Sequence, residues 1–329
     1  MTRRCLYCYL PLTENEIDFH EKCSKKIFGQ PNVPELPYSE NNMEELAGQI
    51  IKTQTAVTGV QPKLSLHLAS GANQKEPKRF TIVGLWGGYI LKPPTPHYLQ
   101  LPEVEDLTMH LAEIAKIKVV PHTLIRLQSS HLAYITKRMD RVKKEKLHME
   151  DMCQLTERLS EDKYQGSYEQ IAKAIQKYSV NPGLDVINFF ELVLFSFLTG
   201  NADMHLKNFS LIQQPGIGPV LSPAYDLVAT ALVNAADDED LALTLNGKKK
   251  KIKRSDFIAA FNTLKLDKKQ QDNIFKKMEK ASPKWMDFID ISFLSDEFKE
   301  AYKALVKGRF LRLTTDNEKR TTGNDYTIF

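Results

Sequence analysis

A short polar segment after an apolar stretch carries side chains suited to phosphoryl transfer. It reads Gly-Asn-Ala-Asp-Met-His-Leu-Lys-Asn over residues 200–208, with Asp203 and Asn208 five positions apart, and Asp226 follows after a hairpin-sized interval. In a kinase centre the first Asp engages the attacking hydroxyl, while the Asn and the second Asp are hard oxygen ligands for magnesium. A turn that only caps a helix is the alternative interpretation of these residues.

A lysine at the end of an apolar strand offers positive charge for nucleotide phosphates. The strand is predicted at residues 89–92 and ends in Lys92, and helical apolar spacing follows over residues 101–117. Glu103 and Glu105 lie near the start of that helix, and one of them could pair with Lys92 as a strand lysine pairs with a helix glutamate in kinases. Ordinary placement of acids in a first helical turn is the alternative, above all for Glu103.

The segment over residues 58–66 offers a weaker phosphate-binding signal. Gly59 allows backbone amides to approach an anion closely, and Lys63 adds charge. A single glycine does not make the three-glycine loop of ordinary kinases, so a surface turn is the alternative.

The N-terminus contains a second constellation of reactive side chains. Cys5 and Cys8 are separated by two residues, and His20 and Cys23 supply a second pair. Three thiolates and one imidazole predict a closed tetrahedral zinc site of structural type. A reduced metal-free stretch or a redox pair are the alternatives, although neither accounts for His20 and Cys23. Cys153 is expected to be a buried core thiol.

Composition and charge narrow the class of protein. The chain has 329 residues, of which 42% are hydrophobic, and a formal net charge of +4. No apolar run reaches transmembrane length and no signal peptide is recognisable, which together with metal-type thiols predicts a cytoplasmic protein. The basic run at residues 248–254 could bind nucleic acid, or it could be a solvated turn whose charge the acids at residues 237–240 cancel.

The element pattern predicts an α+β fold with two lobes, a small mainly β N-lobe and a larger helical C-lobe. Short strands are expected at residues 63–68, 80–83, 89–92, 123–127 and 132–137, and helices at 168–177, 185–199, 255–264, 268–280 and 296–307. The domain boundaries follow: a zinc-binding knuckle at 1–30, the kinase N-lobe with the phosphate loop at 31–142, the helical C-lobe with the catalytic loop at 143–310, and a flexible tail at 311–329.

Taken together, these motifs resemble the HipA-like serine/threonine kinases, which act as toxins of bacterial toxin–antitoxin modules. The resemblance covers roughly residues 50–310, and its motifs stand in the family's order at residues 58–63, 89–93, 134–141, 148–154, 201–208 and 221–226. It implies ATP and Mg²⁺ as cofactors, bound in the cleft between two lobes, and a protein Ser/Thr substrate.

The resemblance also implies roles for individual residues. Asp203 matches the catalytic base, Asn208 and Asp226 the magnesium ligands, and Lys92 the phosphate-binding lysine, while main-chain groups of residues 137–139 match the hinge that holds adenine. The nucleotide-binding set it implies is Thr58, Gly59, Val60, Gln61, Pro62, Lys63, Lys92, Glu105, Lys137, Arg138, Met139, His205, Leu206, Lys207, Asn208, Tyr225 and Asp226.

Partners and regulation follow from the same resemblance. The phosphate loop begins near residue 53, and the additional N-terminal subdomain of the family's longer members is not expected before it. In this respect the chain resembles the short HipT form. This implies a HipS-like small antitoxin, a HipB-like DNA-binding partner, and an aminoacyl-tRNA synthetase as substrate. Family members carry a regulatory Ser where this chain has Ala56, so autophosphorylation would require Thr55 or Thr58. Phosphate on that loop would place negative charge where ATP phosphates bind.

Two other functions are compatible with the sequence. One is a catalytically idle nucleotide-binding scaffold for the antitoxin and DNA, which the sparse-glycine loop permits. The other is a kinase of small metabolites, which differs only in its acceptor.

Overall fold

The chain folds into two compact units in the computed structural model, which describes residues 3–39, 42, 63–69, 78–83, 87–142, 145–234, 236 and 238–314. The first unit comprises Met1–Asp106 and Val120–Arg141, and the second comprises Leu107–Val119 and Val142–Phe329. None of the described helices combines the length and apolar character needed to cross a bilayer.

The first unit is built on a five-stranded antiparallel sheet. Its strand order is β2-β1-β3-β5-β4, with β1 at Leu64–Ala69, β2 at Arg79–Val83, β3 at Tyr89–Lys92, β4 at His122–Arg126 and β5 at Leu132–Lys137. Central strand β3 pairs Lys92 with Tyr134 and Tyr89 with Lys137 of β5. All five strands agree within a residue with the sequence prediction, because short β-branched and aromatic runs between turn residues are a strong local signal.

Helix α1, Glu21–Phe28, attaches the N-terminal segment to this sheet. The Phe28 ring lies edge-on to Phe80, 5.8 Å between centroids, and the Tyr89 hydroxyl donates to the Ile27 carbonyl at 3.1 Å. The Thr123 hydroxyl donates to the Leu6 carbonyl at 3.0 Å. The N-terminal segment is therefore part of the hydrophobic core of this unit.

Helix α2, Leu101–Ile114, begins in the first unit and continues into the second. The second unit is mainly helical, as the sequence predicts. It contains α3 at Met152–Leu155, α4 at Tyr168–Tyr178, α5 at Pro182–Leu198, α6 at Thr230–Val233, α7 at Arg254–Thr263, α8 at Lys268–Asp290 and α9 at Asp296–Thr314. Helix α5 is buried around most of its circumference, and its Phe190 meets Phe261 of α7 edge-on at 5.0 Å.

A second sheet was not predicted from the sequence. Strands β8, Met149–Asp151, β9, Ser210–Gln214, and β10, Gly218–Leu221, form it in the order β10-β9-β8, and two short strands precede it, β6 at Arg141–Val142 and β7 at Glu145–Lys146. Its strands are too short for a clear period-two pattern. The β9–β10 hairpin occupies the interval between Asn208 and Asp226.

One helix was not predicted, and two predicted boundaries were wrong. Helix α1 was not expected, α8 extends beyond residue 280 to Asp290, and residues 311–314 of the predicted tail belong to α9. Helix α8 continues through Pro283, which cannot donate to the carbonyl of Glu279. The Ser282 hydroxyl donates to that carbonyl instead, at 3.2 Å, which lowers the cost of the missing amide. The rest of the predicted tail lies outside the described residues.

Candidate active site

The segment predicted to be catalytic begins at a sharp reversal after α5. Gly200 has a φ of +70°, and a Cβ on it would lie 2.7 Å from Cδ2 of Leu305. Only glycine fits this position, since it combines left-handed backbone with no side chain. The Asn201 side chain then accepts from the Asp203 amide at 3.2 Å, which fixes the turn that presents Asp203.

Asp203 and Asn208 are held at the two ends of one loop, which we call the catalytic loop and define as residues 201–208. The Asn208 side-chain amide donates to the Asp203 carbonyl at 3.2 Å. Because its nitrogen is used in this way, the Asn208 side-chain oxygen is the atom that could coordinate a hard cation. Asn208 is buried and Asp203 is half-buried, so the loop presents both groups from a fixed backbone.

Asp226 is attached to the same loop through its neighbour. The Tyr225 hydroxyl donates to the Lys207 carbonyl at 2.9 Å and lies 2.6 Å from the Ser210 hydroxyl. Asp226 itself has φ of 61°, a left-handed conformation that Asp tolerates better than most residues but that still costs free energy. Strained backbone of this kind clusters at functional sites.

His205 lies beside both carboxylates. Burial lowers the pKa of its imidazole, while the charges of Asp203 and Asp226 act in the opposite direction. Within the part of the chain that the structure describes, its buried Nδ1 has no hydrogen-bond partner. A buried polar atom next to two carboxylates fits a site that binds a polar ligand.

Lys207 is predicted to contact the nucleotide, but its ammonium is hydrogen-bonded to other side chains of the protein. It donates to Asp151 at 3.1 Å and to the Ser160 hydroxyl at 3.2 Å. Asp151 also caps α3 by accepting from the Gln154 amide. Lys207 therefore ties the catalytic loop to the start of α3, and Leu206 beside it is buried.

In the first unit, Lys92 pairs with Glu105 of α2 at 2.5 Å, and both side chains are buried. The Lys92 ammonium also lies 5.4 Å from the centre of the Tyr134 ring. Of the two acids that the sequence offered, the structure thus pairs Lys92 with Glu105. Glu103 lies apart from this pair, and burial raises the pKa of its carboxyl to about 7.

The predicted hinge follows β5 in the first unit. The Lys137 amide donates to the Pro121 carbonyl at 2.8 Å and the Arg138 amide to the Gly88 carbonyl at 2.9 Å. Both donors are therefore used within the protein. Met139 is the position whose amide makes no backbone hydrogen bond to the described residues, so it is the main-chain donor that the hinge could offer to adenine.

Most of the predicted phosphate loop lies outside the described part of the chain. Thr55, Thr58 and residues 59–62 lie outside the described residues, as does Ala56. Lys63 is described, and it is exposed directly before β1.

The N-terminal ligand set converges as predicted. Ligand atoms of Cys5, Cys8, His20 and Cys23 all lie within 4.8 Å of one another. The His20 Nδ1 atom is 3.4 Å from the Cys8 sulfur and 3.7 Å from the Cys23 sulfur. Nε2 of the same ring lies 3.0 Å from the Pro11 carbonyl, which selects the tautomer that leaves Nδ1 free of hydrogen. Burial raises the pKa of Cys8 and of Cys23, and a bound cation would favour their thiolate forms.

The basic run is paired with acids. Lys248 contacts Asp256 at 2.8 Å, Lys249 contacts Glu239 at 3.4 Å, and Lys250 contacts Asp238 at 2.5 Å. Of the two interpretations that the sequence allowed, the structure favours a turn whose charge is cancelled locally.

Sequence reasoning missed two residues of this site, Tyr164 and Asp151. The Tyr164 hydroxyl donates to Oδ1 of Asp203 at 2.6 Å, and Asp151 holds Lys207. Both are distant in sequence from the residues they contact, and no local spacing signals such contacts.

The structure is of the mixed α/β class, and comparison with known proteins gives the family. Residues 55–286 match the HipA-like C-terminal domain family, which covers more than half of the chain. The chain therefore belongs to the HipA-like family.

The names of related proteins support the conclusion that this family member is a kinase. A protein of Haemophilus influenzae named "Putative kinase" is 33% identical over 247 residues, which are 69% of this chain and 68% of that protein. The serine/threonine-protein kinase toxin HipA of Shewanella oneidensis is 29% identical over 57% of this chain and 48% of its own length. The chain thus spans about two thirds of the first relative and about half of the second.

A solved structure shows the same fold. The structure of the Shewanella oneidensis HipA, HipB and operator DNA complex matches 82% of this chain and 67% of the matched chain, with a TM-score of 0.67 and 22% identity. At this identity the likeness concerns the fold alone.

Proposed function

We propose that the protein is an ATP- and Mg²⁺-dependent serine/threonine protein kinase. The observation that carries the proposal is the catalytic loop, in which Asn208 is bonded to the Asp203 backbone and Tyr225 attaches Asp226 to the same loop. Membership of the HipA-like family and the kinase names of its relatives support the same conclusion.

In this proposal each side chain has one role. Asp203 orients the acceptor hydroxyl and receives its proton, and the oxygens of Asn208 and Asp226 hold magnesium. Lys92, kept in place by Glu105, contributes positive charge toward the phosphates. When bound, ATP supplies the transferred group and magnesium neutralises its charge.

A toxin role is the finer part of the proposal. The Shewanella relative is named a toxin, and the solved complex contains HipB and operator DNA. By analogy we propose a HipB-like partner, a HipS-like small antitoxin as in the short HipT form, and an aminoacyl-tRNA synthetase as substrate. Such a substrate places the protein in the cytoplasm. Autophosphorylation at Thr55 or Thr58 stays a prediction.

We further propose that Cys5, Cys8, His20 and Cys23 hold a structural zinc ion. The convergence of their ligand atoms and the hydrogen bond between His20 and Pro11 fit such a site. Four protein ligands leave no open position, so the ion would stabilise the fold and take no part in phosphoryl transfer.

The test uses purified wild-type protein, Asp203→Ala and Asp226→Ala with γ-labelled ATP and cell lysate. We expect a labelled protein band with wild type only, and unchanged thermal melting in both variants. Asp287→Ala, at an exposed position of α8, is the matched control and should label as wild type does.

Three outcomes would contradict the proposal. Equal labelling by Asp203→Ala and wild type would show that Asp203 is not the base. Absence of transfer by wild type, together with ATP binding, would favour the idle scaffold, whereas transfer only to a small molecule would favour the metabolite kinase.

A further inference from the structure

A stretch of chain that leads into α4 lies along the catalytic loop and is hydrogen-bonded to it at several positions. We call residues 160–168 the flanking segment. The Leu206 amide donates to the Lys163 carbonyl at 3.1 Å, and the Tyr168 hydroxyl donates to the Met204 carbonyl at 3.1 Å. The Lys207 ammonium donates to the Ser160 hydroxyl, as described above. The flanking segment is thus fixed against the catalytic loop on both sides of Tyr164.

Tyr164 reaches the carboxylate itself. Its hydroxyl donates to Oδ1 of Asp203 at 2.6 Å, and its ring meets His205 edge-on with centroids 5.0 Å apart. The Lys163 ammonium lies 4.9 Å from the centre of the same ring. The second carboxylate oxygen, Oδ2, accepts no hydrogen bond from the residues that the structure describes. One oxygen of Asp203 is therefore engaged by tyrosine while the other is available.

This arrangement matches what a general base requires. A carboxylate on a short side chain rotates between orientations, and a hydrogen bond to one oxygen fixes the direction of the other. The tyrosine donor is neutral, so it orients Asp203 without introducing a compensating positive charge. The hydrogen bonds of Lys163 and Tyr168 hold the chain on both sides of Tyr164. Moving Tyr164 away from Asp203 during the reaction would therefore break several hydrogen bonds at once.

We propose that Tyr164 is a positioning residue that orients Asp203 toward the acceptor hydroxyl and whose partly exposed ring borders the acceptor site. Tyr164 is 42% exposed although its hydroxyl is engaged, so the residue offers surface next to the base. This inference rests on the proposed kinase function and adds to it a residue that determines acceptor binding.

The two parts of the proposal separate in two variants. Tyr164→Phe keeps the ring and removes the hydroxyl, so we expect kcat to fall about tenfold with unchanged KM for ATP and for acceptor. Tyr164→Ala removes both, and we expect the same loss in kcat plus a several-fold rise in the acceptor KM. Steady-state kinetics with γ-labelled ATP and dephosphorylated casein, a generic Ser/Thr acceptor, measure both parameters.

Controls distinguish the possible failures. Tyr178→Phe, at the end of α4, also removes a tyrosine hydroxyl and should match wild type. If wild type and Asp203→Ala show no difference in transfer, the proposed function fails. If Asp203→Ala is inactive but Tyr164→Phe retains the wild-type kcat, the inference on Tyr164 alone is overturned. A Tyr164→Phe variant faster than wild type would also overturn it, because the hydroxyl would then obstruct the base.

Discussion

At the scale of single residues, two clusters of buried charge in the described part of the chain are compensated by opposite charge. Asp240 contacts Arg309 and Arg312 and also accepts from the Ile252 amide at 2.9 Å. Burial alone would raise the pKa of Asp240, but the hydrogen bond from Arg312 and the Ile252 amide lower it. Lys92 and Glu105 make the corresponding pair in the first unit. An isolated charge in either place would lose its hydration without compensation.

We expect Glu105→Gln to reduce the free energy of unfolding by about 3 kcal/mol, because it leaves the Lys92 ammonium buried without its counter-charge. Chemical denaturation measures this directly. In the double variant Lys92→Met/Glu105→Leu, no charge remains at this position, so we expect most of the lost stability to return, whereas phosphoryl transfer is lost because the ammonium of Lys92 is gone.

The double variant therefore separates stability from catalysis. If the double variant transferred phosphate at the wild-type rate, Lys92 would have no role in the reaction. If Glu105→Gln were as stable as wild type, the pair would not be the compensated charge described above.

At the scale of elements, the N-terminal segment is linked to helix α2. The Tyr9 hydroxyl donates to Asp106 at 2.9 Å, and His122 of β4 contacts the other oxygen of Asp106 at 2.7 Å. Tyr9 follows Cys8 in the chain and Asp106 follows Glu105. The segment that carries the proposed zinc ligands is thus hydrogen-bonded to the helix that supplies the partner of Lys92.

Metal removal should consequently destabilise more than the N-terminal segment. We expect a chelator to lower the melting temperature by at least about 5 °C and to speed amide exchange in α1 and at the start of α2. Cys23→Ser should reproduce the effect without chelator, and Cys153→Ser, outside the ligand set, should retain metal. Metal analysis that finds no zinc in the wild-type protein would contradict the assignment.

At the scale of the whole molecule, at least half of the charge of the lysine run is paired locally, which weakens its electrostatic field. The net charge is +4, and three lysines of the run pair with nearby acids. Such exposed pairs add little stability, but they cancel the local potential that nucleic-acid binding requires.

We expect the isolated chain not to bind a labelled duplex DNA in fluorescence anisotropy at about 0.15 M salt. Replacing the acids by Asp238→Asn and Glu239→Gln should create binding that weakens steeply with salt, since it unmasks Lys249 and Lys250. Salt-dependent binding by the wild-type chain, lost in a Lys249→Ala/Lys250→Ala variant, would show that the pairing does not mask the run.

Much of this protein could be predicted from the sequence because the signals are local. Strands β1 to β5 and helices α4 and α5 follow from hydrophobic periodicity and turn residues, which act over a few positions. The Asp203–Asn208 loop and the Cys₃His set are recognisable because their chemistry depends on residue type and short spacing.

Only the tertiary structure decided which distant side chains meet. The sequence offered both Glu103 and Glu105 to Lys92, and it gave no sign that Tyr164 would reach Asp203 or Tyr9 would reach Asp106. Such contacts form only when packed helices and strands bring together residues that are distant in sequence. The number of residues between two positions does not determine whether their side chains meet. Residue types and short spacings therefore determined the chemistry available to this protein, whereas packing decided how each reactive group is oriented.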